Sequence, residues 1–470
     1  MKHNLPASRK FSNLLAATFL TGFGLNAYAI GPVEVPETWG GDWATRQRLT
    51  GDWGGVRDEM AKKGVELDAN MLLLPGGVIS GGRDTGAEFW GNVDYSLNID
   101  TDKLGLWPGG FFKFQGVSSF GDTLYDQAGA VLPSNMPTLY PSFNQASSGL
   151  MQASFTQFLS PEFGMTLGKL SPLEFTPTEL YGDYRTQFMN TGLNFSASLA
   201  MAPLSAYGGG LLYLPTKEIT LMAMAIDASG SPMENDIGKA FDDGVTLLSA
   251  ANVKVKPFGL VGHQSVTGLW SDKSRFSLEQ DPGNLARMLL IEKYPRLGNP
   301  GPILERILQR FFPKLLTPVE AANRKDSTWS VIYSFDQYLW QPEGDSKHGI
   351  GLFFNFGATD GNPNPVHYSY MMGIGGKGVP GRPQDSYGVG WARTQFSEQF
   401  VPLLRERLGI GLDHEDAIEM YYTASITPWL NVSPNLQVIN SGLTKTLGND
   451  KQLHEMDTTV EANLRMNILF

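Results

Sequence analysis

The chain lacks cysteine entirely, with none among its 470 residues. This absence excludes disulfides, thiol nucleophiles and cysteine-ligated zinc or iron–sulfur centres. Long apolar runs are missing as well: beyond the first thirty residues, no stretch approaches the roughly 18 apolar residues that a membrane-spanning helix needs. The fold must therefore be held together by hydrogen bonding and packing.

Patterns of catalytic or metal-binding chemistry are also missing. The histidines beyond the N-terminus are scattered, and none has metal-ligand spacing to another: His263, His348, His367, His414 and His454. Glycine runs such as Gly208-Gly209-Gly210 lie in strand or turn contexts rather than in strand-to-helix phosphate loops. We therefore expect no enzyme, no catalytic residue, no metal site and no cofactor.

The N-terminus has the order of a secretory signal peptide. Three Lys and Arg residues fall within the first ten, residues 11–25 are uncharged and largely apolar, and Ala27-Tyr28-Ala29 is a small-x-small cleavage site. A retained membrane anchor is the alternative, but the apolar part is too short to span a bilayer. The order predicts an exported protein in which residues 1–29 are removed.

The charge balance points away from nucleic acid. The full chain carries 36 Lys and Arg against 47 Asp and Glu, and loss of the predicted signal peptide leaves 33 against 47, a formal charge of −14. An acidic chain of this kind is unsuited to nucleic acid or to anionic surfaces. The excess is modest for the length, so it identifies no partner by itself.

A two-residue periodicity is what the chain does have. In the last segment, Val460 to Phe470, alternate residues are apolar and the intervening ones include Glu461, Asn463, Arg465 and Asn467. Similar alternation occurs in residues 89–99, 329–339, 366–374 and 418–426, whereas strands near Ile219 and His263 are indistinct. Alternation predicts strands with one apolar and one polar face, which suits either a soluble sandwich or a membrane barrel.

The lengths of the connections separate these two folds. Seven tight connections hold Pro, Gly and other turn residues, and they alternate with eight connections that are mostly longer, at about 73–87, 119–148, 171–205, 227–243, 271–327, 360–365, 397–416 and 441–457. This asymmetry predicts an all-β, transmembrane antiparallel β-barrel of about 16 strands over residues 65–470, with short periplasmic turns and long extracellular loops. Such a barrel is too wide for side chains alone to fill.

Two segments fall outside the predicted strands. Residues 30–64 form a periplasmic N-terminal segment with a short helix before Gly64, a plausible C-cap. The long fifth loop, about 272–327, contains amphipathic stretches at 284–293 and 302–312. Two interpretations stay open for this loop, because its apolar stripe could pack on the loop itself or fold over the pore and narrow it.

Several motifs resemble one known family. They are residues 49–57 (LTGDWGGVR), 90–94 (WGNVD), 102–110 (DKLGLWPGG), 256–260 (KPFGL), 381–385 (GRPQD) and 419–422 (EMYY). Together they resemble the carbohydrate-selective porin family of Gram-negative bacteria (OprB type). The resemblance implies an outer-membrane barrel through which sugars pass passively. The long insert at 276–324 and a loose match at 431–437 leave the solute open.

Strand parity predicts which side chains line the pore. The polar face carries Asp68, Trp90, Asp94, Lys113, Gln115, Lys254, Lys256, Asp336, Glu419, Tyr421 and Arg465. Weak, repeated hydrogen bonds to hydroxyl groups suit a sugar channel, and mixed acids and bases favour neutral solutes. For each residue the alternative is a charge that is merely solvated or paired. Lys169 shares parity with apolar neighbours, which indicates either the outer rim or a bulge near Gly168.

We expect the partners to be sugars or other small hydrophilic solutes, outer-membrane lipid and the barrel assembly machinery. The terminal Phe470 after alternating apolar positions resembles the C-terminal signal of outer-membrane barrels. The oligomeric state stays open between monomer and trimer. Two alternative functions also stay open: a porin for organic acids or aromatic solutes, and a surface-interaction barrel without transport.

Overall fold

The computed structural model describes residues 35–172, 178–281, 284, 287, 291, 302–311, 320–399, 411–447 and 453–470. The predicted signal peptide lies outside the described residues, as do parts of the third, fifth, seventh and eighth loops. Within the described ranges, sixteen antiparallel strands form one closed barrel, in which each strand pairs with its neighbours along the chain and the last pairs with the first. The predicted fold class and strand number are confirmed.

The barrel strands are β1 (Val65–Gly82), β2 (Gly86–Asp100), β3 (Gly110–Gly121), β4 (Ser148–Phe158), β5 (Phe163–Leu170), β6 (Ala206–Thr216), β7 (Ile219–Asp227), β8 (Val245–Val255), β9 (Gly262–Ser271), β10 (Thr328–Trp340), β11 (Gly349–Thr359), β12 (Val366–Val379), β13 (Arg382–Phe396), β14 (His414–Thr427), β15 (Leu430–Asn440) and β16 (Asp457–Leu469). The helices are α1 (Val56–Lys62), α2 (Tyr125–Ala128), α3 (Thr191–Asn194) and α4 (Pro302–Phe311). Single 3-10 turns occur at 136–139, 197–199, 237–239 and 257–259.

Eight loops, L1 to L8, leave one end of the barrel and seven turns, T1 to T7, leave the other. The loops are 83–85, 122–147, 171–205, 228–244, 272–327, 360–365, 397–413 and 441–456, and the turns are 101–109, 159–162, 217–218, 256–261, 341–348, 380–381 and 428–429. The predicted first loop at 73–87 is wrong, because Pro75-Gly76-Gly77 reads as a turn but pairs with Phe89-Glu88-Ala87 of β2. That connection is only three residues long.

Strand parity follows the predicted alternation on most strands. On β14, Ile418, Met420 and Tyr422 are exposed on the outer face, while Glu419 and Tyr421 are buried on the inner face. Aromatic residues such as Tyr95 and Trp329 also lie exposed on the outer face, as expected for rings at a membrane interface. Because closure pairs every strand on both sides, no sheet edge is left toward lipid.

Among the described residues, no helix is both long and apolar enough to cross a membrane.

The inner face of β6 to β8 departs from the expected polarity. It is lined by Leu212, Leu214, Met222, Met224 and Leu248, which are buried together in one apolar cluster. The outer face of the same strands is apolar as well, with Leu211, Leu221 and Leu247 exposed. With apolar residues on both faces the alternation vanishes, and this is why the sequence left the strand near Ile219 indistinct.

The N-terminal segment, residues 35–64, packs on the turn end of the barrel, where β1 meets β16. Helix α1 places Arg57 between the rings of Trp39 and Trp53, with its guanidinium carbon 4.9 Å and 5.0 Å from the ring centroids. The Leu49 N–H donates to the Leu469 oxygen at 2.8 Å. We refer to this segment as the N-terminal clasp.

The described part of L5 contacts itself and L6. Two residues on each side of the loop pair, Arg275–Phe276 with Arg324–Lys325, and the Glu320 N–H donates to Asn284 Oδ1 at 2.9 Å. The Leu278 N–H donates to Asn362 Oδ1 of L6 at 3.0 Å. These contacts favour the interpretation in which the loop packs on itself, while much of the first amphipathic stretch lies outside the described residues.

Candidate functional site

Loop L3 folds into the barrel and is held there by charged side chains of the wall. Arg465 of β16 is fully buried, and its Nη1 donates to the Tyr184 oxygen at 2.7 Å and to the Gln187 oxygen at 2.6 Å. Glu419 of β14, also fully buried, accepts the N–H groups of Met189 and Asn190 at 2.7 Å each. Wall side chains thus satisfy main-chain groups of a loop that has no sheet partner for them.

Aromatic and hydroxyl contacts extend the same loop along the wall. Phe188 packs edge-on against Tyr421 and Phe353, with ring centroids 4.8 Å and 5.3 Å away. Further along, the Ser196 hydroxyl lies 2.7 Å from that of Ser369 on β12. L3 therefore covers much of the inner wall on the β11 to β16 side.

Loop L2 folds inward beside L3. Glu415 of β14 accepts the Val131 N–H at 2.6 Å and the Leu132 N–H at 2.9 Å. The Met136 N–H donates to the Met189 oxygen at 2.8 Å, which joins L2 directly to L3. The two loops together occupy part of the lumen, so the open cross-section is smaller than the barrel itself.

The residues predicted to line the pore fall into distinct environments. Asp94 forms an ion pair with Arg185 of L3, and Asp68 forms ion pairs with Arg48 and Arg57 of the N-terminal clasp. The remaining predicted residues on the inner face are buried or partly buried, as follows. Trp90 packs with Leu74 and Met189. Asp336 lies 3.1 Å from His263 Nδ1, and Lys254 lies opposite the same histidine near the turn end. Lys113 and Gln115 lie side by side on β3.

The placement of Lys256 on the polar face of a strand is wrong. Strand β8 ends at Val255, and Lys256 is exposed in turn T4. The physical reason is Pro257, which has no N–H for the ladder and begins a single 3-10 turn. The prediction therefore extended the alternation of β8 one residue beyond the end of the strand.

Lys169 lies at the outer rim. The register between β4 and β5 is unbroken from Phe158 to Ala153, so Lys169 keeps the outer-face parity of the exposed Leu167. It is nevertheless only 1% exposed, because its Nζ donates to the Glu234 oxygen at 2.6 Å and to Asn235 Oδ1 at 2.7 Å. Loop L4 covers it.

Charged residues of L3 inside the lumen were missed by the sequence reasoning. Glu179 lies 3.2 Å from Lys377 Nζ of β12, and Arg185 is paired with Asp94 as described above. Parity assigns a face only to strand residues, so a charge in a long loop carries no signal of its position. Of the acids that hold the loops, Glu419 lies in a stretch whose alternation made it visible, whereas Glu415, just before that stretch, was not predicted.

Arg57 is a buried cation at the turn end of the barrel, where it forms an ion pair with Asp68. Burial lowers the pKa of Arg57, and the neighbouring Asp68 carboxylate opposes that shift.

Within the ranges that the structure describes, no group of three or more His, Asp or Glu side chains is arranged to hold a metal ion.

A closed barrel of sixteen strands, with long loops at one end, short turns at the other and two loops folded into the lumen, defines an outer-membrane porin of Gram-negative type. A family model described as the carbohydrate-selective porin, OprB family, matches residues 85–460. The chain belongs to the carbohydrate-selective porin family, and its function is that of an outer-membrane sugar porin.

Individual relatives are similar to the chain over nearly its whole length. Porin B of Pseudomonas aeruginosa is 24% identical over 499 aligned positions, covering 100% of this chain and 99% of the relative. Two solved structures of Pseudomonas putida OprB share the fold. The high-pH structure has a TM-score of 0.72 at 21% identity, covering 92% of this chain and 100% of that one. The low-pH structure has a TM-score of 0.53 at 18% identity, covering 91% and 99%.

Proposed function

We propose that sugars diffuse passively through the part of the lumen that L2 and L3 leave open. The observation that carries the proposal is the ion pair of Asp94 on β2 with Arg185 on L3, which joins the wall to the inward loop. The Lys377–Glu179 pair at 3.2 Å repeats this arrangement on β12. At both contacts between the loop and the wall, an acid and a base therefore lie together.

The pairing of acids with bases suits a neutral, hydroxyl-rich solute. A ring of cations alone would favour anions, and a ring of acids alone would favour cations. Paired charges instead orient water and offer hydrogen-bond donors and acceptors close together, without strong preference for either sign. Each contact is weak enough to be exchanged for the next, which is what passage through a channel requires.

The buried apolar cluster on the inner face of β6 to β8 favours a second candidate, a porin for less polar solutes such as aromatic acids. The residues of that cluster, including Met222 and Leu248, pack against one another and are each less than a tenth exposed, whereas Lys377 of the Lys377–Glu179 pair keeps 26% of its side chain exposed. We therefore place sugars first.

The finer biological setting is part of the same proposal. We infer that residues 1–29 are a cleaved signal peptide, that outer-membrane lipid contacts the exposed apolar face, and that the assembly machinery inserts the barrel. A channel of this kind needs no catalyst, so we propose no enzymatic activity. Trimer or monomer is to be decided by cross-linking of the purified protein in detergent.

Liposome swelling across a panel of sugars and organic acids tests the solute. Faster swelling with monosaccharides than with organic acids of equal size supports the sugar porin, and the reverse order supports the second candidate. In planar bilayers, added millimolar glucose should reduce ion conductance. Absence of any steady conductance from folded barrel would contradict transport and favour a surface-interaction role.

A further inference from the structure

We infer that Glu419 and Arg465 are positioning residues that set the width of the permeation path by holding L3 against the wall. The inference rests on the proposed function only in taking the lumen as that path. It concerns where the loop lies, and this can be measured without any sugar.

The two side chains hold opposite kinds of main-chain group in one short stretch of L3. Arg465 takes the oxygens of Tyr184 and Gln187, whereas each oxygen of Glu419 takes one N–H, from Met189 and from Asn190. Two main-chain donors and two main-chain acceptors of the stretch 184–190 are therefore satisfied by charges on the wall. Leaving such buried groups without partners would be costly.

Neighbouring wall residues complete the arrangement. Arg465 Nη2 also donates to Thr423 Oγ1 at 3.0 Å and to Ser433 Oγ at 2.9 Å, which fixes the guanidinium plane across β14, β15 and β16. The Asn435 side-chain amide donates to Glu419 from the same wall. Both charged groups are thus oriented by the barrel before they meet the loop.

Closure of the barrel does not require these charges. Glu419 lies opposite Gln437, and Arg465 lies opposite Ser433, in main-chain ladders that any inward side chain would allow. Burying a carboxylate and a guanidinium is expensive unless their hydrogen bonds are made. The loop supplies four of those hydrogen bonds and neighbouring wall side chains supply the others, so holding L3 accounts for much of the burial of these two charges.

The position of this stretch controls the charges around the path. Arg185, which pairs with Asp94, lies within it, and Glu179, which pairs with Lys377, lies a few residues before it. If the stretch leaves the wall, both the free cross-section and the location of these charges change. The hydrogen bonds from Glu419 and Arg465 to the main chain of L3 therefore determine which solutes fit through the path.

Glu419→Gln tests the inference, because the amide keeps the size of the side chain but presents an N–H₂ group to one of the two loop N–H groups. We expect a rise of roughly twofold or more in single-channel conductance, and entry of larger oligosaccharides in the swelling assay. Glu218→Gln is the matched control, since it removes the same charge from the exposed turn T3.

A disulfide tether separates loop position from loss of charge. Ser196 of L3 and Ser369 of β12 have hydroxyls 2.7 Å apart, and the chain has no other cysteine to interfere. In the triple variant E419Q/S196C/S369C, oxidation should return conductance and size limit toward wild type, and reduction should raise both again. Rescue by the tether would not occur if Glu419 acted only through its charge in the lumen.

Wild-type conductance and size limit in folded E419Q, and in the triple variant under both redox conditions, would overturn the inference. If E419Q does not fold, Glu419→Asp keeps the charge but cannot reach both N–H groups, and a smaller rise in conductance is expected. A wild-type protein that passes ions but no sugar would refute the proposed function, while a conductance change in E419Q would still support the positioning role.

Discussion

The guanidinium of Arg57 donates a hydrogen bond to the main-chain oxygen of Phe470 at 3.0 Å, joining helix α1 to the last residue of the chain. The same Arg57 nitrogen also bonds the Leu67 oxygen at 3.1 Å and the Asp68 carboxylate. One side chain therefore contacts both strands of the seam where the barrel closes. The clasp is therefore positioned to stabilise the closed seam.

Arg57→Ala should loosen this seam. Arg57 is 2% exposed, and its loss leaves Asp68 without one of its two cation partners and removes the contacts with Trp39 and Trp53. We expect a loss of about 2 kcal/mol in the free energy of unfolding, because two main-chain oxygens lose a charged donor while Asp68 is 30% exposed and keeps its other cation. The measurement is the denaturant midpoint of heat-modifiable gel mobility. Lys62→Ala, on the same helix but exposed, is the control and should leave that midpoint unchanged.

Two variants at Phe470 distinguish the contribution of its ring from that of its main-chain hydrogen bonds. The Phe470 N–H donates to the Ala69 oxygen at 2.9 Å, so deletion of the residue removes two seam hydrogen bonds, whereas Phe470→Ala keeps them. Deletion should impair assembly while export continues, at a cost of roughly 1–3 kcal/mol at the seam in addition to loss of the terminal ring. Folded barrel and periplasmic precursor are quantified from cell fractions. A normal yield of barrel from the deletion would contradict the role given to the terminal residue.

The outer wall of the barrel was predictable because lipid and lumen impose opposite demands on alternate residues. On β14 and β16 this demand is strict, and the sequence places Glu419 and Arg465 on the inner face, where the structure has them. Prediction from alternation fails where the inner face is not polar. On β7 the inner Met222 and Met224 are as apolar as the outer Leu221. Local composition also misleads at Pro75-Gly76-Gly77, which stays within a ladder.

The contents of the lumen were not predictable from local pattern. Glu419 and Met189 are separated by 230 positions in the sequence, and nothing in the alternation of either segment indicates their contact. The amphipathic stretches of L5 suggested that this loop could narrow the pore, whereas among the described residues it is L2 and L3 that enter the barrel. Main-chain N–H and C=O groups of these loops are satisfied by side chains that are distant in sequence. Such hydrogen bonds depend on the folded wall, so the local sequence pattern does not indicate them.

Asp94→Asn should change the charge of the path without moving the wall. Asp94 is the carboxylate partner of Arg185, so its neutralisation makes the lumen one unit more positive beside L3. We expect the ratio of anion to cation permeability to rise by roughly twofold, measured from the reversal potential in a salt gradient. Arg185→Gln should shift the ratio in the opposite direction. Asp84→Asn in the exposed L1 is the control, and an equal shift from that control would argue against a local effect.

Lys169→Met should release L4 from the outer rim. The Lys169 ammonium bonds the Glu234 oxygen and the Asn235 amide oxygen, and it lies 5.8 Å from the ring centroid of Tyr207, whose hydroxyl also donates to the Asn235 oxygen at 2.9 Å. Methionine fills similar space but donates no hydrogen bond, which leaves these acceptors without their cation. Local stability of L4 should fall by about 1–3 kcal/mol.

Proteolysis reports that loss directly, because Lys239 lies in the middle of L4 and is a trypsin site. When opening and closing of the loop are fast relative to cleavage, the cleavage rate follows the population of the open loop, so the variant should be cut roughly 5- to 150-fold faster. Lys217→Met removes an exposed lysine from turn T3 and should leave the rate at Lys239 unchanged. Equal cleavage of wild type and Lys169→Met would mean that L4 is held by its other contacts, among them the bond from the Leu150 N–H to the Pro232 oxygen at 3.0 Å.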